Sequence, residues 1–364
     1  MAKRQRRMTR VSVRERMNRP ILGSSNDVAL GSFDLFSTPP TQTDVESELF
    51  DKIYPVNGSL VQTNPDCVFQ CHASQHWTDL SESYFMMQVG LEKVSWPTNS
   101  DATITAANKV NASNFVGMSF WKDLQLELSG QLVTVNRGLA YFEKYIQMQT
   151  QTTGTSQAKW ETSGYYRDLA QDQADPSITE ANGGDRGIFK RFTRYGNGQK
   201  NWIYLPIMTP MACQMRALPS LVDIKITLVK GPAEWRYQCP INAPETYNMK
   251  LYDIILYLKR IKLYPAKLNQ LESRLAGGAA AQFFIDNSFC RSYPIPATTT
   301  TIRIPDVLLT SYLPSYVLCA FMEQKDFRGN RGCSNFSFQH FNISQLYARA
   351  VRIDLTRGGV KGEG

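Results

Sequence analysis

Asp123-Leu124-Gln125-Leu126-Glu127-Leu128, followed by Ser129-Gly130, alternates polar and apolar residues without a break. A period of two puts the three leucines on one face of a pleated strand and the three polar side chains on the other, and Ser-Gly closes it in a turn. The same pattern recurs on both sides. Val222, Ile224, Ile226 and Leu228 alternate with Asp223, Lys225 and Thr227. Phe85, Met87, Val89 and Leu91 mark an earlier strand, and Tyr252, Ile254, Leu256 and Leu258 a later one. Val351, Ile353 and Leu355 mark the last.

Helical spacing is scarce. Val45, Leu49 and Ile53 predict a short helix within Thr41 to Ile53. Leu139, Phe142 and Ile146 predict another, begun at Asn136. Leu268, Leu271, Glu272 and Leu275 predict a third, with Pro265 at its start and Gly277-Gly278 at its stop. Short strands with long, polar, Gly/Pro-punctuated loops point to a mainly β chain of antiparallel sandwiches, jelly rolls included. Strand-rich blocks at about 60–235 and 248–355 suggest two such sandwiches in tandem. The domains expected are a basic arm at 1–35, a first jelly roll at 36–245 and a second at 246–364. The Gln/Thr/Ser/Gly/Asp-rich stretch at 147–185 reads as a surface excursion from the first.

The chain has 364 residues, with 40 Lys plus Arg against 32 Asp plus Glu, a net charge of +8. Most of it sits in one place. Lys3, Arg4, Arg6, Arg7, Arg10, Arg14, Arg16 and Arg19 face only Glu15 in the first 19 residues, so the other 345 are nearly neutral. Such an arm serves polyanions, nuclear import or assembly. No apolar run is long enough for a membrane span, and no apolar segment follows the basic start as in a secretory signal. Seven cysteines, an odd number without a disulfide-like framework, read as free thiols of a reducing compartment.

Catalytic and metal signatures are weak. Cys67, Cys71, His72 and His76 have zinc-like residue types, but on a strand the cysteines face one side and the histidines the other. His340, between Gln339 and Phe341, reads as a packed or hydrogen-bonded imidazole. Gly183-Gly184-Asp185-Arg186-Gly187 lacks the lysine of a phosphate loop and reads as a turn. No nucleophile elbow occurs. Leu275-Ala276-Gly277-Gly278-Ala279 fits a loose protease-cleavage pattern, but the end of a helix already explains both glycines. Trp202-Ile203-Tyr204-Leu205 interleaves aromatic with aliphatic residues, which suits a sandwich core or a subunit interface better than a base-stacking platform. No catalytic, cofactor-binding or metal-ligating residues are assigned, and an enzyme is not expected.

Five segments add a further signal by their order and spacing. They are Phe36-Ser37-Thr38-Pro39-Pro40-Thr41-Gln42-Thr43; Thr78-Asp79-Leu80-Ser81-Glu82-Ser83-Tyr84; Asn114 through Phe120, Leu124, Leu128, Gly130 and Val133 to Tyr141-Phe142-Glu143; Gly187-Ile188-Phe189-Lys190-Arg191-Phe192 with Leu205-Pro206 and Val222 to Ile226; and Asn335-Phe336-Ser337-Phe338-Gln339-His340-Phe341-Asn342. Together they resemble the double jelly-roll major capsid proteins of adintoviruses and Maverick/Polinton elements, relatives of adenovirus hexon and virophage capsid proteins. The resemblance implies a homotrimer of pseudo-hexameric outline that tiles an icosahedral shell around double-stranded DNA. It implies contacts with neighbouring capsomers, penton and minor capsid proteins, and places the 147–185 excursion on the outer side. The eight arm residues would meet packaged DNA or an internal membrane at the inner base. The location implied is the virion, with assembly in the host nucleus. Members of that family continue well past the fifth segment, whereas this sequence closes on a polar tail at Gly364, so an abbreviated or truncated second jelly roll is expected. The alternative class is a β-sandwich binding module for carbohydrate or nucleic acid.

Overall fold

A computed structural model describes residues 44–346 apart from 59–60, 62, 95–100, 103, 105–107, 134–137, 152–159, 169–186, 241–245, 284, 286–287, 298, 300 and 305–316. Eleven strands are named among them: β1 (Val45–Ile53), β2 (Asp66–Cys71), β3 (Trp77–Val94), β4 (Asp101–Ala102), β5 (Asn111–Ala112), β6 (Trp121–Leu128), β7 (Gln131–Leu132), β8 (Asn201–Pro206), β9 (Ile224–Lys230), β10 (Tyr237–Gln238) and β11 (Thr246–Leu263). Five helices accompany them: α1 (Val116–Ser119), α2 (Ala140–Gln151), α3 (Gly187–Tyr195), α4 (Pro265–Ala276) and α5 (Gln324–Arg328). The chain is mainly β, in antiparallel sheets with few short helices, as its alternation predicts.

The stretch read first becomes β6, in a four-stranded sheet of order β2-β9-β6-β7. Leu124 pairs with Leu228, Leu126 with Ile226 and Leu128 with Ile224, so the apolar sides of β6 and β9 coincide. β2 adds Cys67, Phe69 and Cys71 to the same inner face. The second sheet runs β1-β11-β3-β4, with β8 also on β3. β3 and β11 are 18 residues each and pair along their length. Phe85, Met87, Val89 and Leu91 turn inward from β3, and Ile254, Leu256 and Leu258 from β11. Phe69 and Phe85, one from each sheet, meet at 5.3 Å. Removing each such side chain from water contributes roughly 1.5–3 kcal/mol, which is what closes the sandwich.

The pleat of β3 is broken once. The register jumps from Tyr84 opposite Tyr257 to Asp79 opposite Lys259. Ser83 Oγ donates to Asp79 O and accepts from Lys259 N at 3.0 Å, which satisfies the backbone across the bulge. The inward residues accordingly change from Thr78 and Leu80 to Ser83 and Phe85.

Three expectations are corrected. The described part of the helix expected within Thr41 to Ile53 is a strand: Val45–Ile53 form β1, hydrogen-bonded to the edge of β11. Val45, Leu49 and Ile53 fit either period, and the open edge of an 18-residue strand decides between them by offering a ladder of backbone partners. The 147–185 stretch is not wholly a surface excursion. Helix α2 runs through its start to Gln151, and Ser163, Gly164, Tyr165 and Tyr166 are buried. Gly164 sits at φ +76, and a Cβ there would lie 2.9 Å from Val116 Cβ, so the chain passes where only glycine fits. Finally, a domain boundary at 245/246 would cut a sheet, because β11 is hydrogen-bonded between β1 and β3. The sandwich therefore extends to Leu263. From 264 onward the described residues hold α4, α5 and one isolated bridge, Met322 to Phe338, and no named strand. Asn136, the strand expected at Val351–Leu355 and Gly183–Arg186 fall outside the described residues.

Candidate assembly surface

At one end of the sandwich, chain segments far apart in sequence close into a single node. Asn114 Nδ2 donates to Tyr166 O at 2.6 Å and to Asp168 Oδ2 at 2.9 Å, while its Oδ1 accepts from Tyr166 N and Phe115 N. Arg191, on α3 and 1% exposed, donates from Nη1 to both carboxylate oxygens of Asp168, at 2.7 and 2.9 Å. Its Nε donates to Ala112 O. Tyr141, on α2, donates to Asn114 O at 2.6 Å. Phe336 stacks on Tyr145 and meets Tyr141 and Phe142 edge-on, and Asn335 donates to Trp235 O. Segments three and five of the resemblance thus touch through buried rings, and Arg191 of segment four is joined to Asn114 of segment three through Asp168.

Chemically the node is closed. Burial pushes the Tyr141 and Tyr145 hydroxyls well above their ordinary range, so neither is poised to give up a proton near neutral pH. Arg191 is committed to its carboxylate partner and to backbone. Such a node positions chain segments and has nothing to offer a substrate.

A group of exposed rings lies on the outer face of the five-stranded sheet. Tyr84 of β3 stacks on Tyr257 of β11, with ring centroids 5.2 Å apart and planes at 10°. Tyr204 of β8 approaches Tyr84 edge-on at 5.8 Å, and Phe50 of β1 lies 5.9 Å from it on the other side. Lys52 sits over the Tyr257 ring. Four strands thus lay a continuous aromatic band across the sheet. Phe50 remains 47% exposed, Tyr204 43% and Trp202 37%. Burial and the two neighbouring phenols raise the Tyr84 pKa.

Charges flank the band. Toward the bulge, Lys259 Nζ is held by Glu48 at 2.9 Å and Glu82 at 2.6 Å. At the other end, Lys200 lies 4.1 Å over the Tyr252 ring, and Lys250 pairs with Glu92 at 3.2 Å. Tyr252 donates to Glu92 Oε1. Its ring rests over Gly90, where a Cβ would meet both Tyr252 Cε2 and Gln199 O at 3.2 Å.

The outer face of the four-stranded sheet is different. Gln70, Val68, Gln125, Glu127, Lys225, Thr227 and Val229 point outward there, and Lys225 Nζ pairs with Glu127 Oε2 at 3.1 Å. Among the described residues of these strands no aromatic ring faces outward, and Leu132 of β7, opposite Glu127, is the large apolar side chain exposed there.

The remaining sequence candidates do not assemble. Lys3, Arg4, Arg6, Arg7, Arg10, Arg14, Arg16 and Arg19 lie outside the described residues. Cys67 and Cys71 face the core from β2, whereas His72 and His76 follow in the next turn. Burial pushes the Cys67 thiol up to about 11 and the Cys71 thiol to about 12. Among the described residues no three His, Cys, Asp or Glu gather as metal ligands. His340 is exposed, and its Nδ1 accepts from Asn342 N at 3.0 Å. Gly278, at φ +85, stands just past the end of α4, as a helix stop requires. In Trp202-Ile203-Tyr204-Leu205, Ile203 and Leu205 fill the core, while Trp202 and Tyr204 face outward beside the band. The band as a whole escaped sequence reading, because Phe50, Tyr84, Tyr204 and Tyr257 become neighbours only through strand register.

No protein-family model and no curated protein matches the chain. Among solved structures it is similar to the mavirus major capsid protein, at 9% identity and a TM-score of 0.42, over 68% of this chain and 52% of that one. It is similar to a chain of the Sputnik virophage at 12% identity and a TM-score of 0.44, over 64% of this chain and 51% of that one. The Faustovirus major capsid protein matches at 10% identity and a TM-score of 0.36, over 70% of this chain and 60% of that one. The chain spans about half the length of the first two.

Proposed function

We propose that this chain is a structural major capsid protein, without catalytic activity, whose trimers form pseudo-hexameric capsomers of an icosahedral shell around double-stranded DNA. The aromatic band carries this reading. A soluble sheet face with no partner is ordinarily finished mostly in polar residues, as most of the opposite face of this sandwich is. Here Phe50, Trp202 and Tyr204 stay more than a third exposed in one continuous strip. Flat, ring-rich faces rimmed by charge are suited to protein partners, not to a small ligand that needs a concave site. The ordered segments quoted above are the ground for the family, and three of them contribute residues to the Asn114–Arg191–Phe336 node.

In this reading the band is covered by a neighbouring subunit. The eight basic arm residues lie inside the shell, against DNA, an internal membrane or a minor capsid protein. Contacts with a polyanion through so many cations weaken steeply with salt.

The test is microscopy and light scattering of the full chain. Triangular, roughly six-lobed particles with the mass of three copies are expected. A monomer at all concentrations would overturn the reading in favour of a binding module. Deleting residues 1–19 is expected to leave the trimers intact and to lower the DNA content or yield of particles. Unchanged particles would remove the arm from the proposal.

A further inference from the structure

Helix α4 leaves β11 through Tyr264 and Pro265 and stops at Gly277. None of its residues is buried, and none of its leucines packs against the hydrophobic core. Leu268, Leu271 and Leu275 are nevertheless spaced three and then four residues apart, which puts them on one stripe. That spacing is the a, d, a order of a heptad. In the same frame Lys267 and Arg274 occupy g positions and Glu272 an e position.

Charge then selects the orientation. When two such helices run parallel, a g residue faces the e residue five positions further along its neighbour. Lys267 of one copy would meet Glu272 of the next, with opposite charge. When they run antiparallel, g faces g, which sets Lys267 and Arg274 against each other. Within the single chain, Lys267 Nζ lies 2.8 Å from Asp44 Oδ2, in a pair whose side chains are 35% and 52% exposed. Exposed pairs of this kind hold their partners weakly, so the ammonium remains open to a second carboxylate.

We infer that the leucine stripe of α4 is a contact between copies of this chain, with the helices parallel around a cyclic axis and Lys267 of each copy paired with Glu272 of the next. A cyclic axis is the symmetry that makes equivalent helices point the same way. The inference rests on the capsid reading only in taking that axis as threefold. Three apolar layers are too few to hold free helices together. Here β11 anchors each helix, so the contact adds to a larger interface and sets its orientation.

The experiment uses charge reversal in the full chain, with the dissociation constant of the assembly read by sedimentation. Leu271→Glu is expected to weaken it by about thirtyfold or more, since it places a charge inside an apolar layer. Lys267→Glu and Glu272→Lys are each expected to weaken it by about fivefold, and the double reversal to return it to within about twofold of the parent. Rescue is decisive, because a damaged fold or the lost Asp44 contact would not be repaired by a second reversal. Single reversals without effect, or a double variant no better than the singles, would overturn the inference. If that happens while six-lobed particles form, the capsid reading stands and α4 is excluded. If the rescue pattern holds but no such particles form, the helix contact stands and the capsid reading falls.

Discussion

The two outer faces of the sandwich are built on the same plan and finished differently. On the four-stranded sheet, the alternation of β6 and β9 ends in Gln125, Glu127, Lys225 and Thr227, and water suffices as their partner. On the five-stranded sheet, the corresponding outward positions are Phe50, Tyr84, Tyr204, Trp202 and Tyr257. Both sheets bury their inner faces equally well, so the core does not require this asymmetry. Rings retained on an outer face are retained for what covers them. That contrast is the ground on which the proposed assembly surface is placed on the five-stranded sheet.

The contrast can be tested from its shared support outward. Arg191→Ala leaves the Asp168 carboxylate, 4% exposed, without its cationic partner and with Asn114 Nδ2 still donating to it. A loss of about 3–5 kcal/mol in unfolding free energy is expected by denaturant titration, taking both faces down together. A loss below about 1 kcal/mol would mean that the node does not support the sandwich. Next in size, Trp202→Lys combined with Tyr204→Lys is expected to weaken assembly by about a hundredfold, because rings at the centre of an interface carry most of its free energy. The melting temperature of the isolated chain should stay nearly unchanged, since both side chains point outward. Assembly that survives both lysines would refute the role of the band.

The matching change on the other face, Gln125→Lys with Thr227→Lys, is expected to alter stability by no more than about 0.5 kcal/mol and assembly not at all. An equal effect on assembly from both pairs would erase the distinction between the faces. The smallest effect concerns pH. Cys67 and Cys71 titrate near 9.0 in the unfolded chain and at about 11 and about 12 when folded. The folded state therefore holds its thiol protons longer. Stability from this source is complete below about pH 9 and is lost as pH rises through 11 to 12. Cys71→Val should flatten that alkaline decline in denaturant midpoints, and nothing should change at pH 7.

Legibility followed the physics of each segment. The strands around Leu126, Ile226, Met87 and Leu256 were readable because one face meets core and the other does not, and period two records that. Helix α4 was readable because Pro265 and Gly277-Gly278 punctuate it locally. β1 was misread because Val45, Leu49 and Ile53 fit two periods, and the decision lay with β11, some two hundred residues away. Tyr165 and Tyr166 were misread as surface because polar sequence surrounds them. Their burial depends on Asn114 and Gly164, which the chain brings together only when folded. The Asn114–Asp168–Arg191 contact carried no local pattern at all.

The amino-acid sequence by itself determined the class of structure, since alternation at period two, punctuated by glycine and proline, is a one-dimensional record of which side of each strand meets the core. It also determined the basic arm, whose charge is a matter of composition. Only the tertiary structure decided which aromatic residues share a face, which strand completes the larger sheet and where the sandwich ends. Those are matters of register between distant strands, and register is fixed by packing across the sheet, not by neighbours along the chain.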